Sequence, residues 1–278
     1  MKLTVLIDNN TLIDRYFLGE PGVSYLIEDG ERKVLFDVGY SDAFITNAKK
    51  LKADLLDIDF VVLSHGHLDH TWGLMPLIQL FTEAAIEHHP ARRPTLVAHP
   101  LVFSTRADEG VAQIGSVFSE DKLARHFDLR VSRMPVPLTE RLLFLGEIER
   151  TVAFEGNTAV GRIIESDGER DDFMADDSAL VYRSPDGLVI ITGCSHAGIC
   201  NIVEYATKVC QEARVLDIIG GFHLLNPPAA QMQGTLDYMK ALNPDVVHAC
   251  HCTDLNAKIA LSRVVNLAEV GVGLTLEY

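Results

Sequence analysis

The chain alternates short apolar, β-branched runs with longer stretches whose apolar positions recur at helical spacing. Leu3 to Ile7, Val23 to Ile27 and Val34 to Phe36 read as strands, the last two joined through the polar turn Glu28 to Arg32. Ser41 to Lys50 predicts a helix, and Phe60-Val61-Val62-Leu63 a buried strand. From Gly73 to Glu87 the helical spacing returns, which places His70 and Thr71 at that helix's start. Thr95 to Ala98 reads as a strand, and the mixed region 102–127 as helices and loops near a site entrance. Leu142 to Leu145 and Thr151 to Phe154 read as strands, and the polar stretch Glu165 to Asp177 as a mobile loop. Ala179 to Tyr182 and Leu188 to Thr192 flank the turn Ser184-Pro185-Asp186-Gly187, a hairpin signal. Asn201 to Glu212, Gln231 to Leu242 and Asn256 to Val270 predict helices, with strands at Val215 to Ile219 and Val246 to Ala249. No low-complexity linker divides the 278 residues, so the expectation is one α/β domain, 1–278, with a helical and loop insertion around 76–135.

Several of these strands run straight into chemistry-bearing residues. The segment after Leu63 is Ser64-His65-Gly66-His67-Leu68-Asp69-His70, with three imidazoles and one carboxylate packed together. Imidazole and carboxylate are ligands that Zn²⁺, Fe²⁺ and Mn²⁺ accept. Their density exceeds what one tetrahedral site with room for substrate can use. It points to two adjacent metals that clamp an oxygen-rich substrate and activate a bridging water. A solvated histidine-rich turn is the bland alternative, but it needs neither Asp69 beside His70 nor the strand that delivers them.

Leu188 to Thr192 likewise ends in Gly193-Cys194-Ser195-His196-Ala197-Gly198, and Val246 to Ala249 in Cys250-His251-Cys252-Thr253. Strand ends are where α/β proteins present functional groups. Ile218-Ile219 leads into Gly220-Gly221-Phe222-His223, in which His223 could stabilise charge or shuttle a proton, or serve as a structural histidine. Arg106, after His99-Pro100, is a candidate for binding a substrate anion, with a salt bridge as its bland role. His248 reads as a packing residue, and His88 and His89 as solvated.

The His-x-His-x-Asp-His spacing after a strand resembles the signature of the metallo-β-lactamase superfamily. The resemblance implies a four-layer αββα sandwich: two mixed β-sheets face to face, helices on the outer faces and metals at one edge. It implies that His65 and His67 hold the first metal, and Asp69 and His70 the second. His196 is assigned as the first metal's third ligand and His251 as the second's closing ligand. Asp37, in Leu35-Phe36-Asp37-Val38-Gly39, resembles the family's strand-end aspartate that orients a metal ligand from behind. His67 stands where flavin-linked diiron relatives carry Glu, which favours the hydrolase-like branch. The usual His-x-x-Gly-His segment is missing between residues 71 and 190. Cys194 sits where many relatives place a metal-bridging Asp, and whether Cys194, Asp176 or Asp177 supplies the absent ligand stays open. Gly22-Val23-Ser24-Tyr25, the strand ends above and His251-Cys252-Thr253 resemble one branch in particular. That branch includes the archaeal dihydropterin–ribofuranosylaminobenzene phosphate synthase and many metal-dependent hydrolases.

Composition narrows the function. The formal charge is −15, from 24 basic and 39 acidic residues, which disfavours electrostatic capture of nucleic acid. Hydrophobic residues make up 47%, enough for a substantial core, yet no run is long enough for a membrane span. Five cysteines, an odd number, with an early acidic residue at Asp8 instead of a secretory signal, point to reduced thiols and a cytoplasmic setting.

The expected activity is therefore a metal-dependent hydrolase with two divalent metals, zinc first and iron or manganese as substitutes. A metal-activated hydroxide would attack a small, anionic phosphate-, ester- or lactone-containing metabolite, with Asp69 and His223 as catalytic residues. A second class is transfer: a pterin diphosphate loses pyrophosphate as an aryl group captures the pterin methyl. A third, a non-catalytic metal-binding module, has no need of so complete a ligand set. The chain leaves the oligomeric state open.

Overall fold

The continuous apolar runs become strands whose two faces are both covered, so successive side chains alternate between two different cores. The computed structural model describes residues 1–278. The first part of the chain forms β1 (Lys2–Ile7), β2 (Ser24–Asp29), β3 (Arg32–Phe36), α1 (Ala43–Leu51), β4 (Phe60–Val62), α2 (Leu68–Thr71), α3 (Leu74–Ile86) and β5 (Thr95–Ala98). A 3₁₀ turn, Pro100–Phe103, leads to β6 (Thr105–Ala107), α4 (Glu120–Leu123), β7 (Asp128–Val131), β8 (Val136–Pro137) and β9 (Leu142–Phe144). Then follow β10 (Arg162–Glu165), β11 (Gly168–Asp171), β12 (Ala179–Ser184), β13 (Gly187–Thr192) and α5 (Ile199–Cys210). The chain ends with β14 (Val215–Gly221), α6 (Ala229–Leu242), β15 (Val246–Cys250), α7 (Leu255–Leu261) and β16 (Thr275–Glu277).

Seven strands in the order β16-β1-β2-β3-β4-β5-β7 make one mixed sheet, and six in the order β15-β14-β13-β12-β9-β8 make the second. Leu3, Val5, Tyr25, Ile27, Val34 and Phe36 of the first sheet meet Leu180, Tyr182, Val189 and Ile191 of the second in a shared buried core. The alternate residues Leu6, Leu26 and Leu35 turn the other way and pack under Phe44 and Ile45 of α1 and Leu74 and Leu77 of α3. On the far side, Val181, Leu188 and Ile190 meet Ile199, Ile202, Val203 and Ala206 of α5, together with α6 and α7. The spacing of those α5 residues is the stripe of an amphipathic helix. The result is the expected four-layer αββα sandwich.

Four local expectations are corrected. Thr151 to Phe154 is a loop, because the Thr151 and Val152 N–H groups go to Asn201 Oδ1 of α5 at 2.7 and 2.8 Å instead of to a neighbouring strand. Glu165 to Asp177 is no mobile loop: it carries the turn and second strand of the β10–β11 hairpin, whose β10 pairs with β6 in a small third sheet, and ends in buried Asp172, Asp176 and Asp177. The C-terminal helix stops at Leu261, after which the chain turns back to hydrogen-bond Val247 of β15 through Asn266 and Ala268. His70 and Thr71 belong to the separate turn α2, not to the start of α3. The stretch 76–135 also supplies β5 and β7 to the first sheet, so only about 99–127 lies outside the layers.

The parallel strands β3, β4, β13, β14 and β15 all deliver their C-terminal ends to one edge of the sandwich. That edge carries the histidines.

Candidate metal centre

Each strand end turns abruptly at this edge. Asp37, Ser195, His223 and His251 all take left-handed backbone conformations, with φ of 54°, 64°, 50° and 47°. Non-glycine residues held this way cost of the order of 1–3 kcal/mol each and concentrate at functional sites. The two sheets approach so closely here that a Cβ at Gly193 would sit 2.2 Å from Ser64 Oγ.

The sequence-assigned residues fall into two adjoining groups. His65, His67 and His196 form a triangle with all three ring-centroid separations at 4.8 Å. Next to it, Asp69 Oδ2 lies 3.4 Å from His251 Nε2 and 3.7 Å from His70 Nε2. The His65 and His70 rings are 4.1 Å apart, so the groups share a wall. Cys194 completes this arrangement. Its Sγ is 3.2 Å from both His70 Nε2 and His251 Nε2. The sulfur also lies within 4.8 Å of ligand atoms of His65 and His196, so it belongs to both groups.

One carboxylate orients imidazoles of both groups. Asp37 Oδ2 accepts from His70 Nδ1 at 2.7 Å and from Ser64 Oγ at 2.6 Å. Ser64 Oγ in turn accepts from His65 Nδ1 at 2.9 Å. Both rings thereby direct Nδ1–H at these acceptors and turn Nε2 toward the ligand groups, where His65 Nε2 lies 3.2 Å from His67 Nδ1 and His70 Nε2 3.2 Å from Cys194 Sγ. His251 Nδ1 lies 2.8 Å from Asn9 Oδ1, and its backbone N–H donates to Asp8 Oδ1 at 2.9 Å.

The electrostatics suit cations. Burial, reinforced by His70 and the other neighbouring imidazoles, holds His65 well below the ordinary histidine range. Burial and the His223 ring do the same to His196, and burial brings His67 down to about 3. Neutral imidazole is the ligating form. His70 differs: burial depresses it, but Asp69 and Asp37 outweigh that and raise it to about 9. Burial pushes the Cys194 thiol up. The His67 Nε2 and both His196 nitrogens are buried with no hydrogen-bond partner. Unpaired buried polar atoms cost about 1–3 kcal/mol each, and a divalent cation would take the one lone pair that each neutral ring can offer. The donor set fits the metals expected of it.

The remaining candidates are sorted by the same geometry. His223 packs its ring 4.2 Å from that of His196, with a buried, unpartnered Nδ1. Asp176 and Asp177 do not join the ligand groups. Asp177 Oδ2 accepts the Ala197 N–H at 2.8 Å, and its Oδ1 stops 4.0 Å from His65 Nδ1. Asp176 Oδ1 pairs with Arg106 at 2.7 Å, while Oδ2 accepts the N–H of Gly66, inside the His-Gly-His turn, at 2.8 Å. Arg106, a candidate for substrate binding from sequence, is fully buried and also pairs with Asp172 at 2.5 Å. Its guanidinium packs on Gly66, where an added Cβ would meet Nη1 at 2.0 Å. Arg106 supports the turn and is not available to an anion. His248 pairs with Asp217 at 2.8 Å, and His88 and His89 are exposed.

Ser64 and Asn9 were not assigned from sequence, and the bridging position of Cys194 was left open there. A serine directly before a candidate ligand was the available signal for the first, while the other two depend on strand ends far apart in the chain. All five cysteines are free thiols, and no helix is long and apolar enough to cross a membrane.

The chain is similar to known proteins in sequence and in fold. The family profile of the metallo-beta-lactamase superfamily matches residues 18–251. The 7,8-dihydropterin-6-methyl-4-(beta-D-ribofuranosyl)-aminobenzene-5'-phosphate synthase of Methanocaldococcus jannaschii is 30% identical over 270 residues, 93% of this chain and 89% of that protein. An uncharacterized protein of the same organism is 28% identical over 98% of both chains. A crystal structure described as a metal-dependent hydrolase of the beta-lactamase superfamily superposes with a TM-score of 0.82, at 27% identity, covering 100% of this chain and 99% of that one.

Proposed function

The chain belongs to the metallo-beta-lactamase superfamily, and from that premise we propose that it is a metal-dependent hydrolase of a small anionic metabolite containing a phosphate, ester or lactone group. The observation that carries this reading is the pair of ligand groups joined at Cys194. His65, His67 and His196 would hold one divalent cation, and Asp69, His70 and His251 a second, with the Cys194 sulfur between them. Zinc suits this mix of imidazole, thiolate and carboxylate, and iron or manganese are the substitutes. Two such cations supply Lewis acidity toward a carbonyl or phosphoryl oxygen and bring the pKa of water toward neutrality.

The chain's own residues do the rest. Asp37 holds His70 directly and His65 through Ser64, so neither ring needs to reorient during reaction. Asp69, still partly exposed, is positioned to orient the attacking water. His223 lines the cavity next to His196 and would pass a proton at Nδ1 to the leaving atom.

The likeness to the synthase supports a second reading, transfer of a pterin group with release of pyrophosphate. Elemental analysis of protein purified without chelator, with His65→Ala and His251→Ala alongside, tests the shared premise. About two metals per chain, reduced to one or fewer in each variant, is the expected result. One metal or none in the unmodified protein overturns it. Phosphodiester turnover against pyrophosphate release with pterin substrates then separates the two reactions.

A further inference from the structure

A cavity of about 290 Å³ opens directly beside His196 and His223, near the lower end of the roughly 300–1,000 Å³ of small-molecule sites. It lies between the loop 154–160, the start of α5 and the segment 225–231 that opens α6. Its walls are of two kinds. Phe154, Leu225, Pro227 and Pro228 give apolar surface, and Phe154 is fixed against α6, where a Cβ at Gly234 would meet its ring at 2.7 Å. Asn157, Thr158 and Gln231 give neutral hydrogen-bonding groups, and the Thr158 hydroxyl and Gln231 amide make no hydrogen bond within the protein.

The charges decide what fits. No Lys or Arg lines this cavity. Arg150, which braces the loop, directs its N–H groups to the carbonyls of Gly156, Phe173 and Met174 at 2.6–2.8 Å. The one carboxylate in the wall, Glu155, is buried and accepts the Asn201 N–H at 2.7 Å, capping α5. The imidazoles of His196 and His223 lie at the metal end. An anionic group placed away from that end would be desolvated without a counter-charge, on a chain that already carries −15.

Resting on the reading of the His/Asp/Cys groups as a metal centre, we infer that the cavity beside His196 selects substrates whose non-reacting arm is uncharged, part apolar and hydrogen-bonding. The anionic reacting group is held at the histidines, and Thr158 and Gln231 recognise the neutral arm. A substrate with a second anion on that arm is excluded.

The test is calorimetric binding of phenylphosphonate and 4-carboxyphenylphosphonate, which share the anionic head and differ in a charge on the arm. Metal-loaded protein is used, with metal content measured on the same samples. Phenylphosphonate should bind about tenfold more tightly, and Gln231→Lys should close or reverse the gap without changing metal content. Equal affinities for the two probes, or an unchanged gap in Gln231→Lys, overturn the inference while leaving the metal-centre reading intact. Binding of neither probe to fully loaded protein overturns the inference, while the measured loading leaves the metal-centre reading standing.

Discussion

The Asp37 carboxylate accepts the Nδ1–H of His70 at 2.7 Å across 33 residues of sequence, and the same oxygen accepts from Ser64 Oγ. One buried group therefore sets the orientation of imidazoles in both ligand groups. Asp37 also receives the Ser64 backbone N–H at 2.7 Å on its other oxygen.

Asp37→Ala leaves three buried donors without their acceptor, at about 1–3 kcal/mol each before relaxation. Metal affinity should fall about 10–100-fold, as for other groups that support a ligand from behind. Asp37→Asn should lose less stability, since its amide oxygen retains one acceptor. Chelator competition and thermal unfolding measured on both variants check this.

Cys194→Ser should reduce loading from about two metals to about one per chain or weaken both sites, because the sulfur touches both groups. Cys194→Asp restores a bridging anion and should recover loading with a shift toward harder metals. Elemental analysis after dialysis against zinc and against manganese reads both effects. Full loading of the serine variant would remove the sulfur from the centre.

Arg106→Met should destabilise the fold by about 3–5 kcal/mol, because Asp172 and Asp176 would remain as buried uncompensated charges. Arg106→Lys should recover only part, since a single ammonium cannot reproduce the two-sided fork. Denaturant unfolding of the three proteins in the metal-free state measures the order. Equal stabilities would show the pairs to be dispensable.

Glu155 predicts a pH effect. Burial raises its carboxyl from 4.5 to about 7, against the lowering effect of the Asn201 and Cys200 contacts. The folded protein thus binds more protons at this residue than the unfolded chain between these values. Its contribution to stability is present below pH 4.5 and is lost as pH rises through about 7. Glu155→Gln, which keeps an acceptor for the Asn201 N–H, should therefore gain stability relative to the parent as pH rises from 5 to 8. Melting temperatures of both metal-free proteins across that range check the sign; a constant difference would refute it.

Much of this protein was written locally. Apolar runs of β-branched residues gave the strands of both sheets, because alternation between two cores requires both faces to be apolar. The His65–His70 cluster was legible for a similar reason: its four groups sit on one turn and need no distant partner to be recognised together. Thr151 to Phe154 failed as a strand because Asn201, about fifty residues later, captures the N–H groups that a ladder would use. The segment Glu165 to Asp177 looked solvated because only Asp172, Asp176 and Asp177 of its carboxylates are buried, and those are buried against Arg106 and backbone N–H groups.

The sequence by itself determined the layered α/β pattern, the family resemblance and which residue types gather at the strand ends. Only the tertiary structure decided that Cys194 lies between His70 and His251, which are 124 and 57 residues away, and that Arg106 faces inward. Helical and strand periods are properties of neighbouring residues. The meeting of strand ends depends on how two sheets pack, and a cation or carboxylate takes its role from the charges that packing brings within a few ångströms of it.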